Sequence, residues 1–154
     1  MPTLALSRLL AATMLVAAVG TAAAAGDTGP SQPDDPLNGA RAHITAQRWA
    51  AAIEELKRVD ARGNADWHNL MGYSYRKARQ PDLAAAEHHY DEALRLNPKH
   101  RGALEYSGEL FLMKGDLPRA EQRLATLDKV CTFSCSEYRE LKQAVADYRA
   151  GGKR

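Results

Sequence analysis

Apolar side chains recur along this chain at intervals of three and four residues, the spacing that places them on one face of an α-helix. The clearest such stripe consists of Trp49, Ala52, Ile53, Leu56 and Val59. A shorter one before it consists of Leu37, Ala40 and Ile44. Similar stripes predict further helices over residues 66–78, 82–96, 103–114 and 117–129. The pattern therefore predicts an all-α fold.

The stripes also repeat as a set with a constant period. Four marker positions return every 34 residues in three copies, as Trp49, Ala52, Leu56, Val59; Leu83, Ala86, Tyr90, Ala93; and Leu117, Ala120, Leu124, Leu127. A period of this size indicates one supersecondary unit stacked on copies of itself, because a single unit cannot bury its apolar face alone. We therefore expect about three helical pairs in a linear stack.

Turn residues separate the predicted helices. Asn97 and Pro98 should end the helix over residues 82–96, because proline lacks an amide donor and disfavours helical geometry in the residue before it. Gly115 supplies a turn glycine, and Asp116 is expected to be the N-cap of the helix that follows.

A final helix is predicted over residues 134–150. Ser134 and Glu137 form a capping-box pattern at its start. Its apolar face consists of Tyr138, Leu141, Val145 and Tyr148, and its other face is polar. Because a stack of repeats needs a half-polar helix to cover its last unit, we expect this element to be a capping helix.

The first 36 residues have a different composition. Arg8 precedes an apolar run of about 11 residues, and small residues follow as far as Ala25. This order is typical of a secretory signal peptide over residues 1–25, and the run is too short to cross a bilayer, which needs about 20 residues. The alternative is an uncleaved anchor. Residues 26–36 are expected to be a flexible lead-in, and residues 37–154 the repeat domain.

The charge balance narrows the class of partner. The chain of 154 residues has 21 basic and 19 acidic side chains, and removal of Arg8 with the signal leaves a balance of +1. Nucleic-acid binding needs a concentrated basic face, so nucleic acid is not expected as the main partner.

The only two cysteines, Cys131 and Cys135, lie at the junction of the last repeat with the capping helix. In an exported protein such a pair in a loop indicates a structural disulfide, expected here to fix the angle of the capping helix. Two alternatives stay open. One is a redox or sensing role, although redox pairs usually have two intervening residues and this pair has three. The other is metal ligation.

Four of the five histidines, His43, His68, His88 and His89, raise the question of a metal site. Neighbouring residues on a helix point about 100° apart, so His88 and His89 cannot chelate one ion together. No pair of histidines has the i, i+4 spacing that would allow it. We expect solvated or half-packed histidines, with no metal site, cofactor or catalytic set.

The repeat markers and the residues between them resemble the tetratricopeptide repeat family. That family's pattern has a large apolar residue, a glycine, an aromatic residue three positions later, and then alanine, aromatic, alanine and proline. The second unit matches at Gly72, Tyr75, Leu83, Ala86, Tyr90, Ala93 and Pro98. The third matches at Leu104, Gly108, Phe111, Gly115, Asp116, Leu117, Ala120, Leu124 and Leu127.

The resemblance covers residues 35–132 and departs from the family pattern at two points. The turn inside the second unit is two residues longer than the turn inside the third, KARQPD in place of MKGD. The first unit lacks the glycine and the aromatic residue three positions after it, so its leading helix is the least well defined.

The resemblance implies a right-handed superhelix whose concave groove is lined by the leading helix of each pair. The groove positions of the family correspond here to Asp66, Asn69, Tyr73, Arg76, Lys77, Gly102, Glu105, Glu109, Leu112 and Met113. Arg76 and Lys77 would meet a carboxylate or chain terminus of a partner, with apolar contact from neighbouring groove residues. The alternative for all these positions is ordinary exposed helix surface.

Together these features predict a non-catalytic scaffold that binds a protein or peptide in the bacterial periplasm, with no small-molecule substrate and no membrane span after signal cleavage. A second hypothesis is a thiol-redox or sensing protein that uses Cys131 and Cys135. A third is a structural adaptor that assembles with itself through its degenerate first repeat. The sequence does not define the oligomeric state.

Overall fold

The structure, a computed structural model, describes residues 35–133 and 135–151. All regular secondary structure in these residues is helical. The helices are α1 (Asn38–Thr45), α2 (Trp49–Val59), α3 (Ala65–Lys77), α4 (Leu83–Leu96), α5 (Arg101–Met113), α6 (Leu117–Val130) and α7 (Ser136–Arg149). The all-α prediction is confirmed. The predicted signal peptide and all but the last two residues of the predicted lead-in lie outside the described residues.

The helices pack as successive hairpins. Each leading helix packs on its trailing helix, as α1 on α2, α3 on α4 and α5 on α6, and each trailing helix also contacts the next leading helix. The leading helices contact one another in turn, α1 with α3, α3 with α5 and α5 with α7. The fold is therefore repeat-like, and α7 packs against the last hairpin as expected of a capping helix.

Side-chain caps define where several helices begin. The carboxylates of Asp82 and Asp116 accept hydrogen bonds from the amides of Ala85 and Arg119, at 2.9 and 3.1 Å. Gly115, which precedes Asp116, has a φ of +79°, a conformation that favours glycine. The predicted N-cap and turn at this position are confirmed.

Helix α5 begins two residues earlier than predicted. The Nδ1 atom of His100 accepts a hydrogen bond from the amide of Ala103 at 3.1 Å, and its Nε2–H donates to Asp66 at 3.0 Å. Histidine is not among the preferred N-cap residues, so the pattern did not indicate this start. The bond to Asp66 also joins α5 to the start of α3.

The repeat markers form the core. Ala52, Ala86 and Ala120 are fully buried, together with the larger markers Leu56, Tyr90 and Leu127. The predicted leading stripe of the first unit is confirmed, since Leu37 and Ala40 are buried and Ile44 packs against them. The side chain of Tyr75 contacts both clusters of buried residues and so joins the first repeat to the rest of the core.

Close approach between helices explains a marker glycine. A Cβ atom on Gly72 would lie 2.7 Å from a ring carbon of Tyr90 and 3.1 Å from the carbonyl oxygen of Ala86. Both partners are fully buried, so α3 and α4 approach this closely only because no side chain separates them.

The cysteines form a disulfide, with the Cα atoms of Cys131 and Cys135 5.7 Å apart. The bond links the end of α6 to the residue before α7, which confirms the predicted pairing and its position. Helix α7 begins at Ser136 with Cys135 at its N-cap and no side-chain hydrogen bond there. Ser134, the expected capping residue, lies outside the described residues.

Candidate binding groove

Helices α3, α5 and α7 lie next to one another, and the predicted groove residues are on the first two of them. Five of these residues, Arg76, Lys77, Glu109, Leu112 and Met113, line a single cavity of about 320 Å³. The rest of its wall comes from Ala78, Pro81 and Ala144. We call this cavity the α3–α5 pocket. Residues from two successive repeats are thus brought together, although 36 positions separate Lys77 from Met113.

Arg76 is the most constrained residue in the pocket. Its guanidinium lies 2.8 Å from the carboxylate of Glu109, and it donates a hydrogen bond of 3.4 Å to the hydroxyl of Tyr90. It also lies 5.5 Å from the ring centres of Tyr73 and Tyr106, within the range of cation–π attraction. Arg76 is 7% exposed, so this residue, expected to meet a partner's carboxylate, already has one within the chain.

Aromatic rings are in contact across the three helical pairs. The ring of Tyr73 lies 4.6 Å from that of Tyr106 and 5.8 Å from that of Trp49. Edge and tilted contacts at these distances contribute to stability beyond the area they bury. The rings are half-buried, so they combine a packing role with an accessible surface.

Glu105 is buried, with 3% of its surface exposed. Burial, a hydrogen bond with Glu140 and the charges of Glu140, Glu109 and Glu137 together raise its pKa to about 9. Glu105 therefore carries a proton at neutral pH. Two of these acidic neighbours come from α7, a helix for which we expected a covering role only.

Asn69 is also buried, with 8% exposure. Its side-chain nitrogen packs 3.1 Å from the position that a Cβ atom on Gly102 would occupy. Its carbonyl oxygen has no hydrogen-bond partner among the described residues. Gly102 is in the first turn of α5, so the side chain of Asn69 packs against the start of that helix.

Three of the remaining predicted groove residues are exposed, whereas Leu112 is buried. Asp66 is at the start of α3, where it accepts the hydrogen bond from His100. Lys77 is exposed at the other end of α3, and Met113 is 40% exposed at the end of α5. The exposed predicted positions are therefore at the ends of α3 and α5.

Helix α7 also contributes residues to this groove, which the sequence did not lead us to expect. Ala144 lines the α3–α5 pocket, and Glu140 contacts Glu105. The spacing of the helices contained a signal, because α7 begins 35 residues after the start of α5, which itself begins 36 residues after the start of α3. Helix α7 thus occupies the position of a fourth leading helix as well as covering the stack.

A second cluster involves histidines that sequence spacing alone does not connect. The Nδ1 atoms of His68 in α3 and His89 in α4 lie 3.0 Å apart. The other ring nitrogen of His68 is 3.0 Å from the carbonyl oxygen of Arg62, so it carries the proton there and Nδ1 accepts from His89. Burial, with smaller effects of His68 and His88, lowers the pKa of His89 to about 4. Both His68 and His89 are neutral at pH 7.

No group of three or more histidine, cysteine or acidic side chains within residues 35–133 and 135–151 is placed to hold a metal ion. In the same part of the chain, no helix is both long and apolar enough to cross a membrane. No protein-family model matches the sequence, and no curated protein matches it.

Proposed function

We propose that this chain is a scaffold of the tetratricopeptide repeat type that binds an extended segment of another protein in the groove formed by α3, α5 and α7. On this proposal the hairpins form a right-handed superhelix with the leading helices on its concave side. The protein has no catalytic activity and acts in the bacterial periplasm after removal of residues 1–25.

One observation carries the proposal. Five of the groove positions that the family resemblance implied line one pocket, and that pocket combines the side chains of a peptide site. Leu112, Met113 and Ala144 offer apolar contact, and Lys77 lies at the rim. Pockets of this size, with a few placed polar groups on an apolar wall, are typical of binding sites.

Crosslinking from inside the groove tests the proposal. A photoreactive phenylalanine analogue replaces Met113, and the full chain is expressed in a bacterium that exports it. We expect crosslinked partner proteins on irradiation, because Met113 is exposed at the end of the pocket. The matched control carries the same analogue at Gln122, an exposed position on the trailing helix α6. Equal capture from both positions would rule out the groove as the binding surface.

The thiol-redox hypothesis is supported by one feature and weakened by another. Cys135 is at the N-terminus of α7, where a helix favours a thiolate. It is also only 8% exposed, which limits attack by another thiol. We therefore favour a structural disulfide. A reduction potential below about −300 mV would support that role, and a value near −200 mV would support the redox hypothesis.

Self-assembly through the first repeat is the remaining alternative. Sizing chromatography of the mature chain separates it from a monomeric binder. A monomer at micromolar concentration would eliminate it.

A further inference from the structure

A cavity of about 390 Å³ is bordered by α3 and α4 and shares no lining residue with the α3–α5 pocket. His68 and Met71 of α3 and His89 of α4 line it, and we call it the α3–α4 cavity. His68 and Met71 are buried, with 6% and 3% exposure, and His89 is half-buried. Two imidazoles and a thioether, which are donor types that bind copper, are thus brought to one cavity.

The distance between the two imidazoles fits a shared metal ion. The Nδ1 atoms of His68 and His89 lie 3.0 Å apart. Two nitrogen ligands at about 2.0 to 2.1 Å from one ion lie about 3.0 to 3.3 Å apart at bond angles of about 90 to 110°. A hydrogen bond between the rings and a shared ion therefore both fit this distance, so metal binding needs little movement of either helix.

His68 is held in the tautomer that a metal ligand needs. Its Nε2–H donates to the carbonyl oxygen of Arg62 at 3.0 Å, which leaves the Nδ1 lone pair directed at His89. Histidine ligands in metal sites commonly have such a carbonyl partner on the other ring nitrogen. His89 is neutral at pH 7, and its proton moves from Nδ1 to Nε2 when the metal binds. The exchange gives up one hydrogen bond between neutral groups for two metal–nitrogen bonds.

The charges at the cavity favour an ion of low charge. Lys57 and Arg62 also line it. Each pairs with a carboxylate, Lys57 with Glu54 at 3.0 Å and Arg62 with Asp60 at 2.6 Å, and all four side chains are largely exposed. The two cations repel a divalent ion more strongly than a monovalent one. A thioether ligand also selects Cu(I).

We propose that His68, His89 and Met71 form a binding site for Cu(I), with the Nδ1 atoms of the two histidines and the sulfur of Met71 as ligands. Spacing in the sequence does not indicate this set, because the two histidines lie on different helices, 21 positions apart. Its third donor is a thioether, so it differs from the clusters of three histidine, cysteine or acidic groups that the described residues lack. The inference goes beyond the proposed function and does not depend on it.

Competition with the Cu(I) chelator bicinchoninate, without oxygen, measures the affinity of the full chain for Cu(I). We expect one Cu(I) ion per chain. His89→Gln and Met71→Leu should each weaken binding at least about tenfold, since even groups that only orient a ligand change metal affinity by about 10- to 100-fold. Leucine nearly keeps the volume of methionine and removes the sulfur donor. Circular dichroism of each variant verifies the fold.

His43→Gln is the matched control, because His43 lies on α1 and does not line the cavity. Its affinity for Cu(I) should equal that of the parent chain. Nuclear magnetic resonance of the ring nitrogens provides a second measurement, since the chain has five histidines and Cu(I) is diamagnetic. We expect the Nδ1 signals of His68 and His89 to shift on addition of Cu(I), and those of His43 and His100 to stay in place.

Three results would overturn the inference. The first is a chain that does not retain one Cu(I) ion against the chelator. The second is an affinity for Cu(I) that is unchanged in His89→Gln or in Met71→Leu. The third is tighter binding of Zn(II) than of Cu(I), which would indicate a site built from nitrogen ligands alone. Each would leave the proposed function in place, because crosslinking from Met113 decides that separately.

Discussion

Arg76 and Glu109 lie on successive leading helices and form an ion pair of 2.8 Å, with 6% and 18% of their side chains exposed. Sequence analysis placed both residues in the groove but gave them no relation to each other. The pair joins α3 to α5 at the floor of the α3–α5 pocket. Its burial gives it a structural role, and this changes which substitutions can test binding.

Removal of one member of this pair should destabilise the fold. We expect Arg76→Ala to lower the free energy of unfolding by about 3 to 5 kcal/mol, because it breaks a buried ion pair and removes the packing of the Arg76 side chain. Urea denaturation followed by circular dichroism measures this change. Charge reversal at Arg76 is therefore unsuitable as a test of binding.

Lys77 is the matched control for Arg76, since it is the next residue on α3 and is exposed. Lys77→Ala should change the free energy of unfolding by no more than about 0.5 kcal/mol. If Arg76→Ala were equally harmless, the buried ion pair would not contribute to stability.

Because Glu105 is protonated in the fold, the free energy of unfolding should fall as the pH becomes alkaline. Its pKa is raised to about 9 in the folded chain from an ordinary value of 4.5, so the folded state binds more protons between these values. The associated stability is fully present below pH 4.5 and is lost as pH rises through 9. Glu105→Gln should remove this slope and be more stable than the parent chain at pH 9.

Thermal melts between pH 5 and pH 9.5 measure this difference. Glu54→Gln, on the exposed side of α2, should give melting curves parallel to those of the parent chain. A constant stability difference between the parent chain and Glu105→Gln from pH 6 to pH 9.5 would show that Glu105 is ionised in the fold.

The His68–His89 contact should cause a loss of stability in the acid range. The pKa of His89 is lowered to about 4 from 6.5, so the unfolded chain binds more protons between these values and stability falls as pH decreases from 6.5 to 4. His89→Gln should flatten this part of the profile. Melting temperatures of the parent and variant chains from pH 7.5 to pH 4.5 test the prediction.

His88→Gln is the matched control, because His88 is exposed on the same helix turn. If both variants changed the dependence of melting temperature on pH equally, the effect would come from the loss of any histidine and not from the buried contact.

The glycine between α3 and α4 should not tolerate a side chain. Gly72→Ala places a methyl group 2.7 Å from the ring of Tyr90, which is fully buried and cannot move aside freely. We expect a loss of about 1 to 3 kcal/mol in the free energy of unfolding, as for other overpacked cores. Chemical denaturation measures it.

Gly63→Ala provides the comparison, since nothing lies within 4 Å of the added carbon at that position. It should change the free energy of unfolding by less than about 1 kcal/mol. Similar losses in the two variants would mean that backbone freedom, and not contact with Tyr90, is the reason for glycine at position 72.

Much of the fold could be predicted because it depends on local patterns. Apolar periodicity located every helix of the described residues to within two residues at each end. The turn residues Gly115 and Asp116 were read correctly, since caps and left-handed turns have strong residue preferences. The start of α5 was predicted two residues too late, because the helix is capped by His100, and histidine is rarely an N-cap residue.

The 34-residue repeat, by itself, determined the helical class and the hairpin order, because these follow from the periodic placement of apolar and small residues. The groove positions were implied by the family resemblance. Only the tertiary structure decided that Arg76 pairs with Glu109, that α7 encloses Glu105 and that His68 meets His89. These contacts join side chains on different helices, 21 to 35 positions apart. Their burial and protonation depend on how closely the helices pack, which no local pattern records.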